Sequence, residues 1–239
     1  QILISAVKSA TAGPQPTGEL SDAVVVSMHK TSDDGACSIH AATGVRKLHS
    51  SRRDAFRPVN TMPLATIRIE NTTVDLQLEH HYREACSTIQ PREITSSAAR
   101  YDENVVIRQM VAGPWLSTQE IQDAVASNVD ALVIHGTGLG HLPIENPNSD
   151  APQNIELREA LQKLKIPALV VNQCIHGPVN MNVYSKGRIQ QEIGLLGHGL
   201  TSSPEAAVVK LHFALSNNMD VASTMADNLL GEQQQTILN

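Results

Sequence analysis

The chain has 239 residues, 41% hydrophobic and 18% charged, enough to bury one sizeable core or two small ones. A formal net charge of -6 excludes a protein held to nucleic acid by bulk electrostatics, leaving RNA contact to a local basic loop or to a partner. Three cysteines at wide, irregular spacing, Cys37, Cys86 and Cys174, make no disulfide framework and suit a reducing cytoplasm, and no apolar run is long enough for a membrane span.

Ile4, Val7 and Lys8 recur at helical spacing in a segment from Gln1 to Ala12 that stops at Gly13-Pro14. Ala23 to Met28 is a continuous β-rich run of the kind buried on both faces of a parallel sheet, and Thr31 to Gly35 is a polar turn. The alternation Ala36-Cys37-Ser38-Ile39-His40 predicts a second strand, and Leu64 to Ile69 another. From Asn71 to Glu103 the periodicity weakens, with the pair His80-His81, Pro91 and a Thr-Ser cluster, which predicts an interdomain connection with the histidines solvated.

The second half is more regular. Asn104 to Val111, Ala131 to Ile134 and Pro167 to Val171 read as strands. Between them, Ser117 to Glu120 is a capping box opening a helix with Ile121, Ala124 and Val125 on one face, and Leu157, Leu161 and Leu164 mark a second helix. Ser203-Pro204-Glu205 starts a third, with Val208, Leu211 and Leu215 as its core face. Strands alternating with helices require right-handed crossovers, so this half is a small three-layer α/β domain with a mainly parallel sheet. The expected organisation is residues 1–70 as the C-terminal part of one α/β domain, 71–103 as a connection and 104–239 as a second domain.

Chemistry concentrates in Gly44 to Phe56. Lys47 stands at a strand end among Arg46, Arg52, Arg53 and Arg57, with Asp54 the one acid in the stretch. Nearby cations favour the neutral form of a lysine amine, which makes Lys47 a candidate general base. The same residues also suit a solvated loop or an anion-binding patch. Gly136-Thr137-Gly138-Leu139-Gly140-His141 follows a strand, but its spacing is not that of a dinucleotide fingerprint and no helix follows directly, so it reads as a tight strand-exit turn or an anion cradle. Cys174 and His176 sit past the third strand without the further ligands a tetrahedral metal site needs, leaving a packed thiol or a thiol nucleophile.

Three stretches also resemble a known family. Val45 to Phe56 (VRKLHSSRRDAF), Ala131 to His141 (ALVIHGTGLGH) and Gln173 to Arg188 (QCIHGPVNMNVYSKGR) are similar, in the family's order, to the asparaginase-like D-type subunits of archaeal glutamyl-tRNA(Gln) amidotransferase. The resemblance runs from Val24 to about Leu215. It departs at Pro178, where the family usually has arginine, and at Thr201-Ser202, where an Asp-Met pair is common.

The resemblance implies an asparaginase-like α/β fold: the C-terminal part of an N-terminal α/β domain, then a complete smaller three-layer α/β domain with a mainly parallel sheet. It implies a cytoplasmic glutaminase in which a threonine hydroxyl attacks the side-chain amide of glutamine or asparagine. Lys47 then matches the lysine of a threonine–threonine–aspartate–lysine site. Released ammonia would pass to a partner, the E-type subunit of the amidotransferase, which uses ATP and Mg to amidate Glu-tRNA(Gln). This chain would bind no cofactor or metal, would meet tRNA mainly through the partner, and would form a homodimer within a heterotetramer. The family's nucleophilic threonine and Thr-Asp pair belong to segments expected upstream of Gln1, and no Thr-Asp dipeptide occurs here; Thr31, Thr43 and Thr61 stand near Lys47 outside any family threonine motif. A free-standing L-asparaginase relative and a non-catalytic scaffold keeping the subunit interfaces remain open alternatives.

Overall fold

A computed structural model describes residues 1–12, 24–80 and 100–233. Contacts divide the chain into two compact units, Gln1–Glu93 with Asn228–Asn239, and Ile94–Asp227.

The first unit opens with α1 (Ile2–Ala12), though Ile4 and Val7 are half exposed and Ser5 is the buried residue of its first turns. Its main sheet holds β1 (Val25–His29), β2 (Ala36–Ala41), β5 (Ala65–Glu70) and β6 (Thr73–Leu78) in the order β1-β2-β5-β6. Every pairing in it is antiparallel. The expectation that Ala23 to Met28 lies buried in a parallel sheet is therefore corrected. Ala23 falls outside the described residues, Val24 and Val25 are exposed, and β1 is an edge strand. The reason is local: the turn at Thr31 to Gly35, with Gly35 at φ 106°, sends the chain straight back along itself, and a short turn can join only antiparallel neighbours. The strand β6 lies inside the segment read as connection; its alternation is carried by half-buried Val74 and Leu76 between exposed polar residues.

The pleat sorts this sheet into two unlike faces. Ile39, Ala65 and Ile67, with Ile69, Val74 and Leu76 packed around them, make an apolar cluster. Register places Ser38 opposite Thr66, and His40 two residues on, upon the other face. All three are buried as well. A separate two-stranded hairpin pairs β3 (Val45–Lys47) with β4 (Phe56–Pro58).

The second unit runs β7 (Ile107–Val111), α2 (Thr118–Ala126), β8 (Ala131–Gly136), α3 (Pro152–Gln162), β9 (Ala168–Asn172), α4 (Ser185–Glu192), α5 (Pro204–Ser216) and α6 (Val221–Ala226). Its sheet, in the order β7-β8-β9, is parallel throughout. Ala131, Leu132, Val133 and Ile134 of β8 are each 0% exposed, so both faces are covered, as a parallel sheet requires. The capping box is present: Ser117 Oγ accepts from Glu120 N–H and the Glu120 carboxylate accepts from Ser117 N–H. Ile121 and Ala124 face the core, whereas Val125 is exposed. In α3, Leu157 and Leu161 are buried, and in α5 the buried stripe is Ala207, Leu211 and Ala214 with Val208 and Leu215 at its margin.

At the end of β8 the chain makes a tight turn. Gly138 and Gly140 take positive φ of 55° and 90°, and a Cβ on Gly136 would fall 2.5 Å from the Gly140 carbonyl carbon. Gln190 of α4, 0% exposed, braces this turn: its amide donates to Gly140 O and accepts from Leu142 N–H, both at 2.9 Å. Gln190→Leu keeps the volume but strands both backbone groups, and is expected to lower unfolding free energy by about 2–4 kcal/mol. Denaturant melts would check this, and an unchanged midpoint would show that the brace carries no stability.

Candidate active site

The hairpin presents Lys47 at the end of β3. Lys47 is exposed, and its cross-strand neighbour is Phe56. Arg46 lies opposite Arg57 one position away, so the strand alternation sends this arginine pair to the face of the ribbon opposite Lys47. Arg46 and Arg57 are thus separated from Lys47 by register. Lys47 has no ion-pair partner among the described residues.

Three of the arginines are engaged elsewhere. The carboxylate of Asp54, whose side chain is 2% exposed, accepts from Arg52 Nε at 2.8 Å and Arg52 Nη2 at 2.7 Å, and forms a second ion pair with Arg57. Ser32 Oγ donates to the same carboxylate at 3.3 Å. The Arg52 hydrogen bonds first, and then the arginine charges, hold the Asp54 carboxyl below the usual carboxylate range against its own desolvation. Arg53 pairs with Asp34 at 2.6 Å. The loop between the strands is closed by Leu48 N–H donating to Ala55 O at 2.7 Å and by His49 Nδ1 accepting from the amides of Ser51 and Arg52.

Of the threonines near Lys47 in sequence, Thr31 and Thr61 are locally committed. Thr31 Oγ1 accepts from Asp33 N–H, and buried Thr61 donates to the carbonyl of Met62. Thr43 lies in the short 3-10 turn Ala42–Gly44 that leads into β3.

Sequence reasoning passed over His40. It is 3% exposed, and neither ring nitrogen has a hydrogen-bond partner among the described residues. Burial first, and then the charge of Arg57, lower its pKa from the ordinary 6.5 to about 4. The one signal available was its parity: His40 is even-numbered in a strand whose apolar residues Cys37 and Ile39 are odd, so it had to point away from the apolar cluster.

In the second unit, the glycine turn closes on itself. Gly140 and His141 amides both donate to Thr137 O, at 3.0 and 2.8 Å, which takes them away from any anion. His141 is buried edge-on to Tyr184, with ring centroids 5.3 Å apart. The packed-thiol reading of Cys174 is corrected: the residue is exposed, because the chain leaves β9 in a loop fixed by Cys174 N–H donating to Asn172 Oδ1. Beside it, the Gln173 side-chain amide donates to Ala112 O and His135 O, each at 2.7 Å, tying together the ends of β7 and β8. His176 is exposed, and no cluster of three potential metal-ligating side chains occurs among the described residues. The predicted site residues therefore divide between Lys47 in the first unit and the glycine turn with Cys174 in the second. No helix among the described residues is long and apolar enough to cross a membrane.

An antiparallel sheet carrying a lysine hairpin, followed by a three-stranded parallel α/β unit with a braced glycine turn, is the arrangement of an asparaginase-like α/β fold. The chain belongs to the glutaminase/asparaginase family: residues 3–82 match the domain described as Asparaginase, N-terminal, and residues 104–226 match the Glutaminase/Asparaginase C-terminal domain. It is 34% identical over 218 residues to the D-type subunit of the glutamyl-tRNA(Gln) amidotransferase of Methanosphaera stadtmanae, covering 90% of this chain and 46% of the relative. With the corresponding amidotransferase subunit of Saccharolobus solfataricus it shares 35% identity over 238 residues, 96% of this chain and 47% of the relative. The chain thus spans about half the length of these curated relatives. Among solved structures, the thermostable L-asparaginase of Thermococcus kodakarensis superposes with a TM-score of 0.70 at 23% identity, over 98% of this chain and 62% of that one. L-asparaginase I of Vibrio cholerae gives 0.62 at 24% identity, over 82% and 55%. At such identity the structural likeness establishes the fold.

His40 supplies a prediction with a definite sign. Its folded pKa lies below its unfolded value, so between pH 6.5 and about 4 the unfolded chain binds a proton that the folded chain refuses. Stability is then lost as pH falls through that window, by up to about 3 kcal/mol from this residue. In denaturant melts, His40→Leu should flatten the pH dependence over that window relative to the unsubstituted chain; parallel curves would mean that the histidine is solvated.

Proposed function

We propose that this chain is part of a glutaminase-type amidohydrolase that releases ammonia from glutamine, with Lys47 as the general base. The observation that carries the proposal is the Lys47 hairpin itself: a lysine at a strand end with no carboxylate partner among the described residues, in a segment matching the asparaginase N-terminal domain. The amidotransferase relatives favour glutamine as the amide and transfer of the ammonia to Glu-tRNA(Gln), over an asparagine-specific enzyme.

The chemistry follows from the weakness of a hydroxyl nucleophile. A threonine hydroxyl is not appreciably ionised at neutral pH and needs a base within reach to take its proton as it attacks. In this reading Lys47, in its neutral form, accepts that proton while the threonine oxygen bonds to the amide carbon. The tetrahedral intermediate then collapses, the proton goes to the leaving nitrogen, and ammonia departs, leaving an acyl-enzyme that water hydrolyses to glutamate. The attacking threonine would come from a segment beyond this sequence, consistent with relatives about twice as long. Ammonia would pass to the E-type partner, which activates the tRNA-bound glutamate with ATP and Mg, and the assembly would contain this chain as a homodimer, meeting tRNA mainly through that partner.

In the natural full-length protein, Lys47→Met should reduce ammonia release from glutamine by at least about 100-fold, the usual scale of a lost general base, with the melting temperature little changed. Near-normal turnover would remove Lys47 from the mechanism. The same assay run with asparagine, and with and without the partner, separates the readings: release selective for glutamine and raised by the partner supports the amidotransferase role, and selectivity for asparagine supports a free-standing asparaginase. Silence in every combination supports a scaffold.

A further inference from the structure

We infer that Asp54 is the positioning residue for Lys47, holding the hairpin that carries the lysine against the turn between β1 and β2. The inference rests on the reading of Lys47 as base and adds to it the group that fixes where that base stands.

Asp54 and the arginines beside it link the hairpin to the turn. Asp54 accepts from Ser32 of the turn while gripping Arg52 of its own loop and Arg57 of β4. Arg57 in addition donates to the carbonyl of Lys30 at 3.4 Å, and Arg53 reaches Asp34. Lys47 itself makes no ion pair among the described residues, so nothing of that kind at its own tip decides its position. A carboxylate 2% exposed differs from a solvated surface pair, since its partners cannot be exchanged for water.

The charge arrangement gives the inference a signature that simple loss of packing would not share. On the hairpin, Arg46 and Arg57 occupy the face away from Lys47, and Asp54 neutralises Arg57 together with Arg52. From the sheet, His40 lies within the field of Arg57, and Lys30 is bonded to Thr66, which in turn donates to Glu79. Removing the Asp54 charge makes the surroundings of Lys47 more positive and favours its neutral form. Removing the Arg57 charge does the reverse.

The experiment is a steady-state pH profile of glutamine hydrolysis for Asp54→Asn and Arg57→Gln in the natural full-length protein, beside Lys47→Met. For Asp54→Asn, kcat should fall at least about tenfold with KM changed less than about twofold, because the lysine acts in the chemical step and not in binding. Its acidic limb should move to lower pH by about a few tenths of a unit, and that of Arg57→Gln to higher pH by a similar amount. Should Asp54→Asn fail to fold, the Arg57→Gln limb decides alone. Wild-type kcat in Asp54→Asn overturns the inference, as does a loss of kcat whose limbs stay in place. If Lys47→Met keeps its activity, the reading of the base falls; if it is inactive while Asp54→Asn behaves as wild type, only the positioning role falls.

Discussion

A carboxylate removed from water has to be matched by cations and donors held in place, and the position of Asp54 sets that demand on the first unit. Arg52 and Arg57 meet it from the hairpin and Ser32 from the turn, so the segments must lie together for the charge to be tolerated. Both arginines keep about half of their side-chain surface in water, which spares them the cost of full burial while their guanidinium forks cover the carboxylate. The hairpin that carries Lys47 is only three residues on each strand, too small to hold a shape alone, and it inherits its place from this ionic junction.

The two units solve burial differently. In the second, β8 and β9 are apolar on both faces, and the parallel sheet they build is sealed by helices, a design that works by area and packing. In the first, only one face of the sheet is apolar. The other buries Ser38, His40 and Thr66, and Thr66 links Lys30 to Glu79. A polar face of this kind contributes less stability per residue, but it places a titratable group where the charge of a hairpin arginine acts on it, as Arg57 does on His40.

How much of this was legible follows from which residues carry a periodic signal. In the second unit the three strands and the helices α2, α3 and α5 were readable, whereas α4 and α6 were not: the capping box at Ser117 and Glu120 and the apolar run at Ala131 to Ile134 each encode local structure with local residues. The first unit was less readable because Ala23 to Met28 has the composition of a buried parallel strand, and only the short turn after it reveals the antiparallel return. Val74 and Leu76 were missed in the same way, as two apolar residues are too few to raise an alternation above the polar residues around them. Lys47 could be found by its motif, but its surroundings could not, because sequence neighbours on a ribbon point to opposite faces.

The opposed faces of the ribbon change the chemistry expected of the lysine. A lysine flanked by four arginines in sequence suggests an amine whose proton is repelled by like charge, yet proximity along the chain is not proximity in space, and the repulsion acts through space. Register turns Arg46 and Arg57 to the far face, Asp54 cancels much of the charge of Arg52 and Arg57, and Asp34 cancels that of Arg53. What distinguishes Lys47 is that no described carboxylate pairs with it, in a loop where the acids are already taken by arginines. A base must be free to accept a proton from its nucleophile and must not be held by a counter-ion that prefers it charged. In the proposed reading of Lys47 as base, the arginines would act indirectly, by engaging the carboxylates of Asp54 and Asp34.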